Sequence, residues 1–141
     1  MEEDWNDKFQ LHFAAEDGDL ARVKELVSSG SDVTIFDEIG YTPFHYAVKK
    51  EHFEVAKYFL DLGVDINIHD EEQIGETPLG AVAETCSYKM VKFLLENGAN
   101  PLIPGWMQIN ALYRVKKRSE DDVEKEPIIE LVERAAKKYA T

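Results

Sequence analysis

Apolar side chains recur in three sets along the chain, and the members of each set share the same spacing. Steps of three, three and one residues bring four side chains onto one face of a helix, so each set predicts an amphipathic helix with that face turned inward. The sets are Leu20, Val23, Leu26 and Val27, then Phe53, Ala56, Phe59 and Leu60, then Tyr88, Val91, Leu94 and Leu95. Gly30, Gly63 and Gly98 follow the three sets, and each predicts a helix end because glycine readily takes the left-handed conformation found there.

A shorter helix is predicted before each amphipathic helix. The first covers about Gln10–Glu16 and ends at Gly18, and Asp19 is a suitable N-cap for the helix that follows. The second short helix begins after Thr42, because threonine caps helices and Pro43 occupies the favoured first helical position. The chain is therefore predicted to consist of pairs of short helices.

One motif recurs at a nearly constant period. Gly40–Val48 reads Gly-Tyr-Thr-Pro-Phe-His-Tyr-Ala-Val, and Gly75–Ala83 reads Gly-Glu-Thr-Pro-Leu-Gly-Ala-Val-Ala. Weaker copies lie in Phe9–Ala15 and Asn110–Val115. The copies are separated by 33, 35 and 33 residues when they are aligned on Phe9, Thr42, Thr77 and Asn110.

This motif and period resemble the ankyrin repeat, which has a Thr-Pro-Leu-His-x-Ala core and a period near 33 residues. The resemblance implies an all-α fold, namely an ankyrin-repeat solenoid of four helix–turn–helix repeats with short β-hairpin fingers. It assigns residues 1–141 to a single domain with repeats at about 5–37, 38–70, 71–104 and 105–141. In this family the fingers and inner helices line a concave face, and that face binds other proteins.

Several positions depart from the repeat pattern. Gly80 stands where repeat two has His45, and Glu51 and Cys86 stand where the family usually has glycine between the two helices. A side chain in the left-handed conformation costs energy, so we expect slightly strained inter-helix turns at Glu51 and Cys86. Two extra residues lengthen the finger between repeats two and three, at about 67–76.

The fourth repeat is the least regular. Its inner helix is expected over about Ala111–Arg118, and the basic run Lys116–Arg118 is interpreted as a solvated helix end or as a complement to an acidic spot on a partner. A charged insertion, Ser119–Glu126, follows it. Pro127 is expected to open the last helix, whose inward side is formed by Ile128, Ile129, Val132, Ala135, Ala136 and Tyr139.

The charge of the chain narrows its possible partners. The net charge is −12; residues 1–38 carry 3 basic and 11 acidic side chains, a net of −8, whereas residues 101–141 carry 8 and 7, a net of +1. An acidic body repels nucleic acid and anionic membranes and attracts basic partners, although acidity can also serve only to keep a small protein in solution. We expect a protein partner with a basic surface, neither nucleic acid nor membrane as a ligand, and a chain that is a monomer on its own.

Targeting signals and cysteine content point to one compartment. No stretch is long and apolar enough to span a bilayer, and the acidic N-terminus does not resemble a secretory signal. The single cysteine, Cys86, cannot form an internal disulfide and suits a reducing compartment. We therefore expect a cytoplasmic protein.

The candidate chemical groups do not form a reactive site. His12 and His45 hold equivalent positions, and in the family that histidine forms hydrogen bonds within and between repeats. A metal pair is the alternative, but Gly80 and Tyr113 interrupt the row and no thiolate cluster adds ligands. Cys86 lacks the pattern of a nucleophile, and there is no glycine-rich phosphate loop. We expect no enzyme activity, no catalytic residue, no metal and no cofactor.

The resemblance also indicates which side chains would contact a partner. Both tryptophans and several tyrosines occupy the variable positions of the concave face, and interface cores favour aromatic residues. The alternative is that fingertip aromatics pack on neighbouring fingers. The expected partner-binding residues are Trp5, Phe13, Glu16, Asp17, Glu38, Ile39, Tyr41, Tyr46, Lys49, Glu72, Ile74, Glu76, Glu84, Trp106, Met107, Ile109 and Arg114.

These features favour a protein–protein interaction module that acts as a stoichiometric binder or inhibitor of a basic protein. The chain is also similar to small standalone bacterial ankyrin proteins, some of which are immunity proteins for secreted toxins, so a basic toxin is one possible partner. The alternative is an adaptor or scaffold in cellular signalling that uses the same face and leaves its partner's activity intact. An activity assay on the partner distinguishes the two.

Overall fold

Short α-helices joined by turns make up the residues that the computed structural model describes, 8–73 and 75–140. The first of two compact units, Met1–Asp65, contains α1 (Gln10–Asp17), α2 (Leu20–Ser28), α3 (Pro43–Lys49) and α4 (Phe53–Asp61). The second, Ile66–Thr141, contains α5 (Pro78–Val82), α6 (Tyr88–Glu96), a one-turn 3-10 helix (Trp106–Gln108), α7 (Ala111–Val115) and α8 (Lys125–Ala136). The described residues contain no β-strand, which confirms the all-α class, and the fingers take the form of turns.

Side chains at the helix starts explain where the helices begin. The Asp19 carboxylate accepts the backbone N–H of Arg22 at 3.0 Å at the start of α2. At the start of α3, the Thr42 hydroxyl accepts the N–H of His45 at 3.4 Å, and Nδ1 of His45 accepts the N–H of Thr42 at 3.1 Å. These contacts satisfy N–H groups that have no partner inside the helix. The predicted caps at Asp19 and Thr42 are therefore confirmed.

Glycines end the helices as predicted, and one of them is required for a second reason. The φ angle of Gly18 is 73°, and that of Gly30 is 97°. A Cβ atom at Gly18 would lie 2.5 Å from the ring of His52, whose Nε2–H donates to the Glu16 carbonyl at 2.8 Å. A Cβ atom at Gly30 would meet nothing within 4 Å. Position 18 thus needs glycine for both its backbone and its space, whereas position 30 needs it for its backbone alone.

The predicted inward faces form the cores of the two units. In the first unit α1 packs against α2 and α3, and α3 packs against α4. In the second unit α8 packs against α6 and α7, and α5 packs against α7. The buried members of the predicted faces are Val23, Ala56, Phe59, Val91, Leu94, Ile128, Val132 and Ala136. Tyr139 is 41 % exposed and lies beyond the end of α8, so the prediction that it faces inward is wrong.

The expectation of a solvated helix end is wrong for Arg118. Helix α7 ends at Val115, and the Arg118 side chain is buried. Its guanidinium donates to the carbonyls of Ala83 at 2.8 Å and Cys86 at 2.7 Å, and to the Asp122 carboxylate at 2.6 Å. The last carbonyls of a helix and of the turn after it need donors from outside, and Arg118 supplies them for α5.

The last helix begins two residues earlier than predicted, at Lys125 rather than at Pro127. Proline is tolerated in the first turn of a helix because an N–H at that position has no partner inside the helix. Lys125 is itself buried, and its ammonium group donates to the exposed Glu120 carboxylate at 2.6 Å. The insertion before α8 is therefore tied to the helix by an ion pair.

The two substituted inter-helix turns differ from each other. Glu51 has a φ of 58°, which confirms the expected left-handed conformation. The expectation is wrong for Cys86, which is not among the described residues with positive φ. Helix α5 stops at Val82, so the chain turns over a longer segment; there the N–H of Cys86 donates to the Val82 carbonyl at 2.9 Å and Ser87 caps α6.

Candidate functional site

The finger before α3 is organised by Asp37, a residue outside the predicted contact set. Its N–H donates to the Tyr41 carbonyl at 2.8 Å, which closes the turn. One carboxylate oxygen accepts the N–H groups of Ile39 at 3.1 Å and Tyr41 at 2.9 Å, and the other accepts the Tyr46 hydroxyl. One side chain thus fixes the finger to α3. An aspartate shortly before Gly40 is a turn signal in the sequence and could have identified it.

This finger and α1 form a pocket of about 230 Å³ in the first unit. Most of the pocket wall is apolar. Two of the apolar side chains, Phe13 and Ile39, are 39 % and 64 % exposed to solvent. Acidic side chains from both elements lie beside them. The lining residues are Phe9, His12, Phe13, Glu16, Asp37, Glu38, Ile39 and Tyr46.

His12 lines this pocket and has one buried ring nitrogen without a hydrogen-bond partner among the described residues. Its Nε2 lies 3.0 Å from the Tyr41 carbonyl oxygen, and because a carbonyl can only accept, Nε2 carries the proton. Nδ1 is then a lone-pair acceptor, and it is buried with no hydrogen-bond partner among the described residues. Burial lowers the pKa of His12, and this effect exceeds the opposing effects of the Tyr41 carbonyl, the Asp37 charge and the Ile35 carbonyl. The ring is therefore neutral near neutral pH.

Tyr46 is held in place by the same aspartate. Burial, followed by the hydrogen bond and the charge of Asp37, raises the pKa of the Tyr46 hydroxyl well above its usual range. The hydroxyl thus stays protonated and its proton stays engaged with Asp37. The ring also packs edge-on against those of His12 and Tyr41, with centroid distances of 5.8 and 5.6 Å.

The structure brings together five of the predicted contact residues of the first unit in this pocket, namely Phe13, Glu16, Glu38, Ile39 and Tyr46. Tyr41 is instead stacked on His45, with a centroid distance of 5.1 Å and an interplanar angle of 9°. The Lys49 ammonium lies 5.9 Å from the Tyr41 ring, and both Lys49 and Asp17 are exposed. The pocket is therefore not lined by Asp17, Tyr41 or Lys49.

In the second unit, two predicted contact residues bind each other. The carboxylate of Glu76 accepts from the guanidinium of Arg114 at 2.6 Å and from the backbone N–H of Trp106 at 3.0 Å. The two charged side chains are only 16 % and 18 % exposed. Two glycines leave room for the carboxylate: a Cβ would lie 2.8 Å from it at Gly80 and 2.2 Å from it at Gly105. At position 80, where the repeat pattern has histidine, the space beside glycine is thus occupied by the Glu76 carboxylate.

This ion pair holds the base of an exposed fingertip. Trp106 and Met107 are 61 % and 65 % exposed. Met107 and Gln108 have φ angles of 59° and 61°, a conformation that costs energy for residues other than glycine. The N–H of Gly105 donates to the carbonyl of Ile109 at 2.9 Å and closes the turn. The chain therefore holds two large apolar side chains in water on a strained, hydrogen-bonded turn.

The remaining predicted contact residues are not brought together by the described contacts. Glu72 and Glu84 are exposed, and Ile109 is half-buried. The N–H of Glu72 donates to the Asp70 carboxylate at 3.1 Å in the longer finger. Trp5 and Ile74 lie outside the described residues.

The histidines of this chain have structural partners. His12 bonds to the finger of the next repeat and His45 to its own helix cap, as the resemblance implies. Over residues 8–73 and 75–140 there is no group of three or more histidine, cysteine, aspartate or glutamate side chains placed to hold a metal ion. Within the same residues, no helix has both the length and the apolar character to cross a bilayer.

Known proteins resemble this chain through one kind of repeat. A family model described as ankyrin repeats (3 copies) matches residues 11–104. The ankyrin repeat-containing protein P1E11.10 of Schizosaccharomyces pombe is 44% identical over 69 residues, which are 49% of this chain and 32% of that protein. Palmitoyltransferase akr1 of Neurospora crassa is 35% identical over 109 residues, 77% of this chain and 14% of the transferase. Human inversin is 33% identical over 100 residues, 70% of this chain and 9% of inversin.

The chain thus spans less than a third of the length of each of these relatives, and the match to a transferase carries no conclusion about its activity. Residues 105–141 lie beyond the family match, so the fourth repeat stays a prediction, although α7 and α8 do pack together there. The family match covers well over half of the chain, and the paired helices, the Thr-Pro caps and the finger turns follow the same repeat. This chain belongs to the ankyrin-repeat family and is a protein–protein interaction module.

Proposed function

We propose that this ankyrin-repeat chain binds a protein with a basic surface in a one-to-one complex and blocks that protein's activity. The pocket of the first unit is its main contact site. The observation that carries the proposal is that this pocket joins exposed apolar side chains to acidic ones. An apolar pocket that excludes water from a neighbouring ion pair is typical of the few residues that dominate binding energy at protein interfaces.

Charge supports the same site. Residues 1–65 carry 6 basic and 15 acidic side chains, a net of −9, whereas residues 66–141 carry 10 and 13, a net of −3. The acidic pocket therefore lies in the more strongly negative unit. Such a surface speeds the association of basic partners and discriminates against acidic ones, and salt weakens both effects.

The Trp106–Met107 fingertip is a second proposed contact point. Its two large side chains are exposed, and tryptophan in particular is enriched among residues that dominate binding. Glu76 and Arg114 would act indirectly, because they bind each other and hold the turn. Their proposed role is to fix the fingertip before the partner arrives, which reduces the entropy lost on binding.

An immunity protein for a secreted toxin is the narrow form of this proposal. A toxin that acts on nucleic acid needs a basic active site, and an acidic protein surface can occupy such a site by imitating the charge of the substrate. The support for this form is the charge alone. It requires that the bound partner lose its activity in proportion to the complex formed.

An adaptor or scaffold is the second candidate, and the relatives favour it. Each of the three named relatives is much longer than the segment that matches this chain, so the same kind of repeats occurs there within larger proteins. In that case binding would leave the partner active. The activity of the purified partner, measured with and without this chain, separates the two functions.

Charge reversal at the pocket tests the site. A partner is first captured and purified, and its affinity is then measured by calorimetry for two variants with the same change in net charge. Glu38→Lys places a cation in the pocket wall, whereas Glu54→Lys places one on the exposed surface of α4, away from the pocket. We expect Glu38→Lys to weaken binding by tenfold or more, about 1.4 kcal/mol, and Glu54→Lys to change it by less than about twofold.

Equal weakening by the two variants would mean that only net charge matters, and the pocket would be rejected as the site. Binding that is insensitive to salt between low and physiological concentration would reject the basic partner. Circular dichroism of both variants shows whether each remains folded before its affinity is interpreted.

A further inference from the structure

We infer that the first-unit pocket binds a single arginine side chain of the partner, an inference that rests on the proposed function. The described side chains that line the pocket offer acceptors, and their two donors, Nε2–H of His12 and the Tyr46 hydroxyl, already have partners. The carboxylates of Glu16, Asp37 and Glu38 can only accept hydrogen bonds when they are ionised. The one hydroxyl in the wall, that of Tyr46, already donates its proton to Asp37. A ligand that fits must therefore bring the donors.

A buried acceptor points to the same ligand. His12 is 3 % exposed, and its Nδ1 lone pair is without a hydrogen-bond partner in the described part of the chain. A buried acceptor left unpaired costs free energy, and because the His12 ring lines the pocket, a ligand donor that reaches Nδ1 as the ring shifts would remove that cost. The proton on Nε2 is fixed by the Tyr41 carbonyl, so Nδ1 cannot become a donor by a change of tautomer while that bond persists.

The size and the walls of the pocket indicate a side chain rather than a larger ligand. Its volume of about 230 Å³ is below the range of about 300–1,000 Å³ that is usual for small-molecule sites. The rings of Phe9, Phe13 and Tyr46 offer apolar surface for a methylene chain. Arginine combines such a chain with a planar cation that stacks on aromatic rings and carries five N–H donors.

Other side chains fit less well. An apolar side chain would fill the walls but leave Nδ1 of His12 unpaired and the carboxylates without a counter-charge. Lysine brings the charge, but its compact ammonium is strongly hydrated and carries three donors, whereas the planar guanidinium carries five and stacks on aromatic rings. A neutral isostere of arginine would keep the shape and lose the charge. These differences make the inference testable with small probes.

The experiment uses the full chain and three blocked amino acids, N-acetyl-arginine methylamide and its citrulline and lysine counterparts. Nuclear magnetic resonance follows the backbone amides of Phe13, Ile39 and Tyr46 and the nitrogen resonances of the His12 ring during titration. We expect the arginine probe to shift these amides with an affinity at least about tenfold above that of either counterpart. We also expect the His12 Nδ1 resonance to move in the direction of a hydrogen-bonded acceptor.

Matched variants locate the effect. Glu38→Gln should weaken the arginine probe severalfold, because it removes one charge from the pocket wall, and Glu54→Gln should leave its affinity unchanged. Equal affinities for arginine and citrulline, or shifts confined to residues outside the pocket, would overturn the inference. An unmoved His12 resonance on saturation would overturn it as well.

Failure here can be separated from failure of the proposed function. If the arginine probe fails but Glu38→Lys still weakens the partner more than Glu54→Lys does, the pocket binds some other group of the partner and the proposed function stands. If the arginine probe succeeds and the two charge reversals weaken the partner equally, the pocket binds arginine but is not the partner site.

Discussion

Gly18 is required both for its left-handed backbone conformation and for the absence of a side chain beside His52. Its φ of 73° disfavours any side chain, and the His52 ring occupies the space that a Cβ atom would need. The imidazole cannot simply move away, because its Nε2–H holds the Glu16 carbonyl. Gly18 thus allows α1 to end and also allows His52, the N-cap residue of α4, to pack against the end of α1.

Replacement by alanine separates the two requirements. Gly18→Ala should lower the free energy of unfolding by about 2–4 kcal/mol, because left-handed strain adds to a steric clash. Gly30→Ala, the matched control, should cost only about 1–2 kcal/mol, since its Cβ would meet no atom within 4 Å. Urea denaturation of both variants measures the difference. Similar losses of unfolding free energy in the two variants would show that the His52 ring moves aside at little cost.

Single residues were predictable where a rule about the backbone applied. Gly18, Asp19 and Thr42 were identified because helix ends and caps admit few residue types. Asp37 was missed as an organising residue, because the turn signal before Gly40 marks a turn but does not show that one carboxylate will also hold the Tyr46 hydroxyl. For His12, a hydrogen bond within or between repeats was predicted, but the Tyr41 carbonyl was not identified as its partner.

At the scale of elements, Arg118 connects two helix pairs of the second unit. It follows α7 and donates to carbonyls in the turn between α5 and α6. It also pairs with Asp122 in the insertion before α8. Here the sequence was misleading, since Lys116, Lys117 and Arg118 form a run of like charges and only the third is buried.

A matched pair of substitutions tests this connection. Arg118→Met should destabilise the second unit by about 3 kcal/mol, because two carbonyls and a carboxylate lose their donor. Lys117→Met, one residue away and exposed, should change stability by less than about 1 kcal/mol. Thermal unfolding and amide exchange in α5–α8 give the measurement. If the two variants lose equal stability, the Arg118 contacts contribute no more than a surface charge does.

Helix positions followed from apolar spacing, while helix lengths did not. The three amphipathic helices appear where Leu20, Phe53 and Tyr88 begin their sets. Helices α5 and α7 are shorter than the repeat suggests, and α8 starts before Pro127. Lengths depend on which side chain satisfies the last carbonyls, and that contact comes from residues distant in sequence, as with Arg118.

At the scale of the whole molecule, charge is distributed unevenly between the two units. The first carries a net charge of −9 and the second one of −3. Mutual repulsion among like charges opposes folding, and salt screens it as the Debye length falls from about 30 Å at 0.01 M to about 8 Å at 0.15 M.

Salt should therefore stabilise the two units to different degrees. Between these two concentrations we expect the free energy of opening in the first unit to rise by about 1 kcal/mol, and that in the second to rise less. Amide hydrogen exchange, read separately for residues 8–65 and 75–140, measures both in one sample. A larger gain in the second unit would contradict this explanation.

The period of the chain predicted its family and its helix pairs, because four independent positions repeat at nearly the same distance. From the resemblance to the ankyrin repeat, five of the eight residues that line the pocket were expected to contact a partner. The remaining three are Phe9, His12 and Asp37, and the pocket that they complete appears only when the finger is placed beside α1. The expected contact set as a whole stays a prediction.

The Glu76 carboxylate has a consequence for how this sequence can change. It lies where a Cβ atom at Gly80 would come within 2.8 Å, although the repeat pattern expects histidine at that position. Restoring the consensus by Gly80→His alone would set the imidazole against the carboxylate that binds Arg114 and Trp106. The side chains at positions 76, 80 and 114 are therefore coupled, whereas Trp106 takes part through its backbone N–H. Consensus design applied at position 80 alone would therefore damage this repeat.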